Sequence, residues 1–127
     1  MNNKKEFFNF VVIGFLTVLI DSSVYTLILK MASNFSFAKT FGFVSGTFFS
    51  FFANRNFTFK IQNSIWIQIY KFALLYSGSL MINVIINNMA LNYFSGTNYR
   101  IKLAFTTATF SSALINFIGM KYFVFKK

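Results

Sequence analysis

From Phe7 to Leu29 the chain is apolar apart from a few small polar residues, and Asp21 is its one charge. A bilayer core about 30 Å thick is crossed by about 20 predominantly apolar residues in a helix, so this run predicts a transmembrane helix. A cleaved leader would carry an apolar region of only about 7–15 residues. Similar runs follow, and the spacing predicts helices over about 7–29, 40–54, 72–94 and 103–119. Lys30–Lys39 reads as a polar link. The alternating Ile61–Lys71, with Trp66 and Tyr70, reads as a connector lying in the membrane interface.

Two stretches divide these helices into pairs. Phe48–Lys60, FFSFFANRNFTFK, ends the second apolar run, and Phe117–Lys126, FIGMKYFVFK, ends the fourth. Phe51, Arg55, Phe57, Phe59 and Lys60 in the first match Phe117, Lys121, Phe123, Phe125 and Lys126 in the second at the same spacing. The expected architecture is an all-α membrane protein: four transmembrane helices arranged as two repeated helical hairpins, each anchored by a cationic aromatic collar, in a single domain over residues 1–127.

Composition narrows the function. Of 127 residues 56% are hydrophobic and 22% aromatic, more apolar surface than a soluble domain of this size can hide. Twelve Lys and Arg oppose only Glu6 and Asp21, a net charge of +10. The cations stand singly at the ends of apolar runs, a pattern of headgroup contact and topology rather than of nucleic-acid binding. With both termini on one side, that side holds Lys4, Lys5, Arg55, Lys60, Lys71, Lys121, Lys126 and Lys127, against Lys30, Lys39, Arg100 and Lys102 opposite. The excess places both termini in the cytoplasm. Without His or Cys the chain lacks thiol chemistry, the commonest soft metal ligands and the usual proton shuttle near neutral pH. No catalytic residue, metal site or cofactor is expected.

Small residues recur every fourth position at Ala38, Gly42, Gly46, Ser50 and Asn54. That spacing allows close helix approach, either against the first helix or as a dimer seam. Asp21 lies inside a span, where an ionised carboxylate costs on the order of 2.5–3.5 kcal/mol even on the lenient insertion scale. It reads either as a polar contact for a sugar or a protonatable site, or as a packing group bonded to Ser or Asn on a neighbour. Laying the halves over one another by helix starts, Phe10 against Phe72, puts Asp21 opposite Asn83. Asn83, Asn87 and Asn116, with Thr109 and Ser112, form either a polar cleft or ordinary interhelical bonds. Arg55 at the membrane face would grip phosphate oxygens in a bidentate way, with Asn54 adding a hydrogen bond and Phe57 and Phe59 beside lipid chains; as a topology anchor it would hold ordinary phospholipid.

The whole chain resembles the GtrA-like family of small four-helix membrane proteins. The resemblance is carried by FFNFVVIGFLTVLID at Phe7–Asp21, similar to an F-x-x-x-G opening followed by a polar or acidic position, and by FFANRNFTF at Phe51–Phe59, similar to an N-R-x-W/F-T-F element. NFIGMKYFVF at Asn116–Phe125 is similar to that element's second version, with Met120 and Lys121 where Asn-Arg is usual. Gly14, Asp21, Asn54, Arg55, Phe57, Thr58 and Phe59 carry over. The resemblance implies a part in cell-surface polysaccharide synthesis, handling or flipping a polyprenyl-phosphate-linked sugar made by a cytoplasmic-side glycosyltransferase.

Three functions fit these features. A translocase of the cytoplasmic membrane would hold phosphate with Arg55 and Lys121, pass the sugar along Asp21, Asn83, Asn87 and Asn116, and pack its helices through Gly14, Gly42, Gly46 and Ser50. A non-transporting anchor for a glycosyltransferase would need the small-residue face and not Asp21. A small proton-coupled exporter would use Asp21 and leave the collars without a role. Expected partners are the lipid bilayer, the lipid-linked sugar, a membrane-associated glycosyltransferase and a possible homo-oligomer.

Overall fold

The computed structural model describes residues 3–32 and 35–126, without the side chains of residues 29, 32, 35–40, 101 and 105. Ala38 and Lys39 thus fall outside the described side chains. The elements in chain order are α1 (Asn3–Ala32), α2 (Phe35–Ala53), a π-helical turn (Asn54–Phe59), α3 (Ile65–Tyr93), α4 (Arg100–Gly119) and a second π-helical turn (Met120–Val124). Three stretches, Asn3–Ile28, Ile65–Tyr93 and Lys102–Val124, are long and apolar enough to cross a membrane. α2 has 19 residues, about 28 Å at 1.5 Å per residue.

The helices are longer than their apolar runs. α1 continues to Ala32 and α2 begins at Phe35, in place of the expected link Lys30–Lys39. α3 begins at Ile65, so most of the expected interfacial connector is helix. The reason is visible in burial: Gln68 and Phe72 are 3% and 5% exposed, four positions apart on one face. Alternation in IQNSIWIQIYK hides this helical stripe. Trp66 and Tyr70 remain strongly exposed at the helix start, where interfacial aromatics belong.

The chain divides into two compact units, Met1–Gln62 and Asn63–Lys127. In the first, α2 packs on α1 through glycine. A methyl group at Gly46 would come within 3.2 Å of the Thr17 carbonyl oxygen, and one at Gly42 within 2.7 Å of the Asp21 carbonyl oxygen. Farther down, Asn9 donates its side-chain amide to the Phe57 carbonyl at 3.2 Å. The α1 number falls as the partner's rises, so α1 and α2 are antiparallel. In the second unit Asn83 Nδ2 donates to Ser112 Oγ at 2.9 Å, and a methyl at Gly119 would strike the Leu75 side chain, again an antiparallel pair. Ala104 and Ala108, 0% and 1% exposed, bring α4 close in the same way.

Polar groups are turned inward or onto their own helix. Thr17, Thr107 and Ser111 each donate to the carbonyl four residues back at 2.8 Å, which satisfies a hydroxyl where no water competes. Large apolar side chains face outward instead: Phe8, Phe15, Phe48 and Phe110 are each more than 60% exposed. In water such a surface would aggregate; in lipid it is solvated.

At the end of α2 the helix widens. Asn54, 1% exposed, donates through Nδ2 to the Ser50 carbonyl at 2.9 Å and to Ser50 Oγ at 3.3 Å. Its Oδ1 accepts from Thr58 Oγ1 at 2.9 Å. A side-chain amide inserted at the carbonyl four residues back competes with the regular ladder, and the chain continues as a π turn. The left-handed Lys60 (φ 53°, ψ 49°) closes it, its N–H donating to the Arg55 carbonyl. The second π turn has no such amide: Met120, Val124 and Phe125 hold it by apolar burial, at 0%, 3% and 1% exposure.

Two measurements check this packing. Gly42→Ala pushes a methyl against backbone, which cannot yield, and is expected to destabilise by about 1–3 kcal/mol; Gly119→Ala meets only the end of Leu75 and should cost less. Thermal unfolding in detergent showing the reverse order would refute the close approach at Gly42. Asn54→Ala should destabilise by about 1–3 kcal/mol by leaving the Thr58 hydroxyl without its buried acceptor. Adding Thr58→Val should then cost less than the sum of the two singles, because both changes remove one bond; strict additivity would refute the coupling.

Candidate headgroup and polar membrane site

The two collars share one pattern of exposure. From Asn54 to Lys60 the residues run buried, half-buried, exposed, exposed, buried, buried, exposed, and Met120–Lys126 repeats that order. Each π turn therefore presents a half-buried cation, Arg55 or Lys121, next to two exposed positions. Phe57 and Phe123 stand outward at 66% and 43% exposure, whereas Phe59 is buried at 3%. Phe57 alone of the expected pair is placed to meet lipid; Phe59 is core.

Asn54 also departs from its expected place beside a headgroup. Its amide is enclosed and both its ends are bonded, to Ser50 and Thr58. It shapes the turn that carries Arg55 and does not reach the membrane surface. Ser50, 3% exposed, belongs to the same arrangement.

Lys121 lies over aromatic rings. Its Nζ is 6.0 Å from the Phe117 ring centroid and 5.7 Å from that of Tyr122, and Lys71 Nζ is 5.5 Å from that of Phe123. A ring face attracts a cation through its quadrupole, so these ammonium groups are steered along the aromatic collar. Arg55 offers five donors in a planar fork, suited to two phosphate oxygens at once.

The intramembrane groups are divided between the units. Asp21 is half-buried on the glycine face, its Cβ 3.4 Å from where a methyl at Gly46 would stand. Asn83 bonds Ser112 within its own unit. One turn farther along each helix, Ser79, 4% exposed, comes to the level of Asn116. The Asn116 Oδ1 is buried and has no hydrogen-bond partner among the described residues. Asn87 is half-buried. Unit 2 thus has a polar seam of Ser79, Asn83, Ser112 and Asn116, at least one oxygen of which is buried without a partner among the described residues.

The overlay of Asp21 on Asn83 does not survive the contacts. Thr17 lies against Gly46 and Asn83 against Ser112; Thr17 and Asn83 are 66 positions apart, as are Gly46 and Ser112, Arg55 and Lys121. On that spacing Asp21 corresponds to Asn87. Helix starts mislead because α1 and α3, beginning at Asn3 and Ile65, are offset by 62 positions, whereas their contacts with α2 and α4 are offset by 66. Gly14 differs from expectation too: a methyl there would meet nothing within 4 Å, so it makes no close helix approach.

Some placements gave little sequence signal. Glu6, in the supposedly polar start, is 5% exposed; its spacing of four from Phe10 is the cue that was available. Asn9 ties α1 to the first π turn, and Lys60 takes the left-handed conformation, which only turn geometry reveals. Among the described residues no group of three or more His, Cys, Asp or Glu is placed to hold a metal.

No solved structure matches the chain significantly. The family model described as GtrA/DPMS, transmembrane domain, matches residues 9–125, from within α1 to the end of the second π turn. With its long lipid-facing helices, inward polar groups and collar cations, the chain belongs to the GtrA/DPMS transmembrane-domain family, multi-pass membrane proteins of polysaccharide and glycolipid synthesis.

Proposed function

We propose that this protein translocates a polyprenyl-phosphate-linked sugar across the cytoplasmic membrane, as a single transmembrane domain of two like hairpins with both termini in the cytoplasm. The observation that carries the reading is the first π turn. Buried hydrogen bonds among Ser50, Asn54 and Thr58 fix it, and it presents the half-buried Arg55 beside the outward Phe57. A rigid cation at the end of an apolar span matches a lipid whose phosphate sits at the interface and whose chain stays in the bilayer.

In this reading Arg55 and Lys121 hold the phosphate. The sugar follows polar groups that lipid cannot offer: Asp21 on the glycine face, and Asn83, Asn87 and Asn116 near Ser112. No bond is made or broken, so no catalytic residue is assigned. A glycosyltransferase supplies the lipid-linked sugar on the cytoplasmic side, and a homo-oligomer would enlarge the polar path. The small-residue face of α2 is occupied by α1, which weighs against the anchor reading, where that face would receive the transferase.

The test is transport in liposomes containing the purified protein and a short-chain polyprenyl-phosphate sugar, scored by protection of the sugar from an external enzyme. Arg55→Ala removes charge-assisted hydrogen bonds of about 1.5–3 kcal/mol and should lower transport about 10- to 100-fold at unchanged protein abundance, with Arg55→Lys retaining part. Undiminished transport would remove Arg55 from the site. Asp21→Asn should slow transport while co-purification with the glycosyltransferase persists. Normal surface glycan in that variant would favour the anchor.

A further inference from the structure

One level of the α3–α4 seam is less well satisfied than its neighbours. Leu75 faces Gly119, and Asn83 donates to Ser112 Oγ at 2.9 Å. Between these two contacts the antiparallel register sets Ser79, which is buried, level with Asn116. Among the described residues of the second unit, Asn116 Oδ1 is the one buried side-chain oxygen without a hydrogen-bond partner. A carbonyl oxygen shielded in this way bears its desolvation cost with nothing in return. An apolar side chain at the same place would bear none. The cost ends once the helices part far enough for water to reach the amide.

The two halves of the seam resist parting differently. On the side of the connecting turn Ala90, Ala104 and Ala108 are buried; small residues let backbones approach closely, and van der Waals contact is densest there. On the collar side the contact at Gly119 is with the methyl ends of Leu75, which can turn aside by a rotamer change. Met120 and Val124 beyond it are buried apolar side chains. In a bilayer no hydrophobic force holds such groups together, because lipid chains replace their contacts at little cost. Water is also nearer on that side. At 1.5 Å per residue the chain runs about 12 Å from Asn116 to Val124 and about 24 Å from Asn116 back to Arg100.

We infer that the α3–α4 pair is a gate. It parts from the collar end as far as Asn116, pivots on its alanine-packed half, and is limited to that depth by the Asn83–Ser112 bond. The buried Asn116 oxygen is what biases it: compared with an apolar residue at 116, one unsatisfied acceptor favours the parted form about 10- to 100-fold. A cost stored in one form of a packed pair and released in another makes a two-state element. The inference goes beyond the translocase reading and does not depend on what the protein carries.

The test uses the full-length protein in nanodiscs. The chain has no cysteine, so the near-isosteric Ser79→Cys places a lone thiol at a buried point of the seam. Its rate of reaction with a water-soluble trimethylammonium methanethiosulfonate reports the parted form. That thiol is expected to react, whereas one placed by Ala108→Cys, in the pivot half, is not. Adding Asn116→Leu to Ser79→Cys should slow the reaction about 10- to 100-fold and raise thermal stability, since it removes the unsatisfied acceptor. Asn116→Val does the same in a smaller volume, should leucine not be accommodated. Asn83→Val removes the latch and should speed the reaction. An unreactive Ser79→Cys in folded protein, equal reactivity of Ala108→Cys, or a rate that Asn116→Leu and Asn116→Val leave unchanged would each overturn the gate. Labelling needs no substrate, so it reads the gate separately from the transport assay.

Discussion

A hydrocarbon core offers a polar group no water, so each amide, hydroxyl and carboxylate in a span must find its partner in protein. Much of this structure is an answer to that constraint. Thr17, Thr107 and Ser111 bond their own helices. Asn83 bonds across to Ser112, and Asn54 is enclosed between Ser50 and Thr58. Because the polar groups point inward, helix seams must be narrow enough to enclose them, and glycine at 42 and 46 and alanine at 104 and 108 make them so. The outer surface is then left to phenylalanine, which lipid solvates.

The same constraint explains why the collars are stiff. A cation on a fraying helix end would be drawn to any headgroup and hold no particular lipid. Here α2 ends in a turn whose internal bonds are shielded from water, and shielding strengthens them. Asn54 thus fixes the turn that carries Arg55. In the second unit burial of Met120, Val124 and Phe125 does the corresponding work, and the cation is oriented by Phe117 and Tyr122.

The all-helical class and the number of helices were legible in the sequence because hydrophobic run length is a local and strong signal. Helix ends were not. Lys30 and Lys71 look like loop residues, yet long side chains of that kind extend to the interface from within a helix, so a charge did not mark an end. The half-buried place of Arg55 at the end of α2 fits its position after an apolar run. Residue roles were misread where rotation about the helix axis decided them: Asn54 and Phe59 turn inward, Phe57 outward, and a π turn shifts that phase from the regular 3.6-residue period. The correspondence of Asp21 with Asn83 failed for a related reason, since apolar runs begin at different points in helices whose contacts are spaced 66 residues apart.

The two collars match in exposure and differ in chemistry. The first is locked by polar bonds and closed by a left-handed lysine; the second is held by apolar packing, and among the described residues no other positive φ occurs. A strained backbone persists only where surrounding contacts over-determine it, and Ile61 provides them here by returning to the core. The polar lock holds the turn that carries Arg55, and Lys60 closes that turn in the left-handed conformation. Polar bonding is accordingly concentrated at the helix end in the first unit, whereas the second unit carries it between its helices, in the Asn83–Ser112 bond and the buried, unsatisfied Asn116 oxygen.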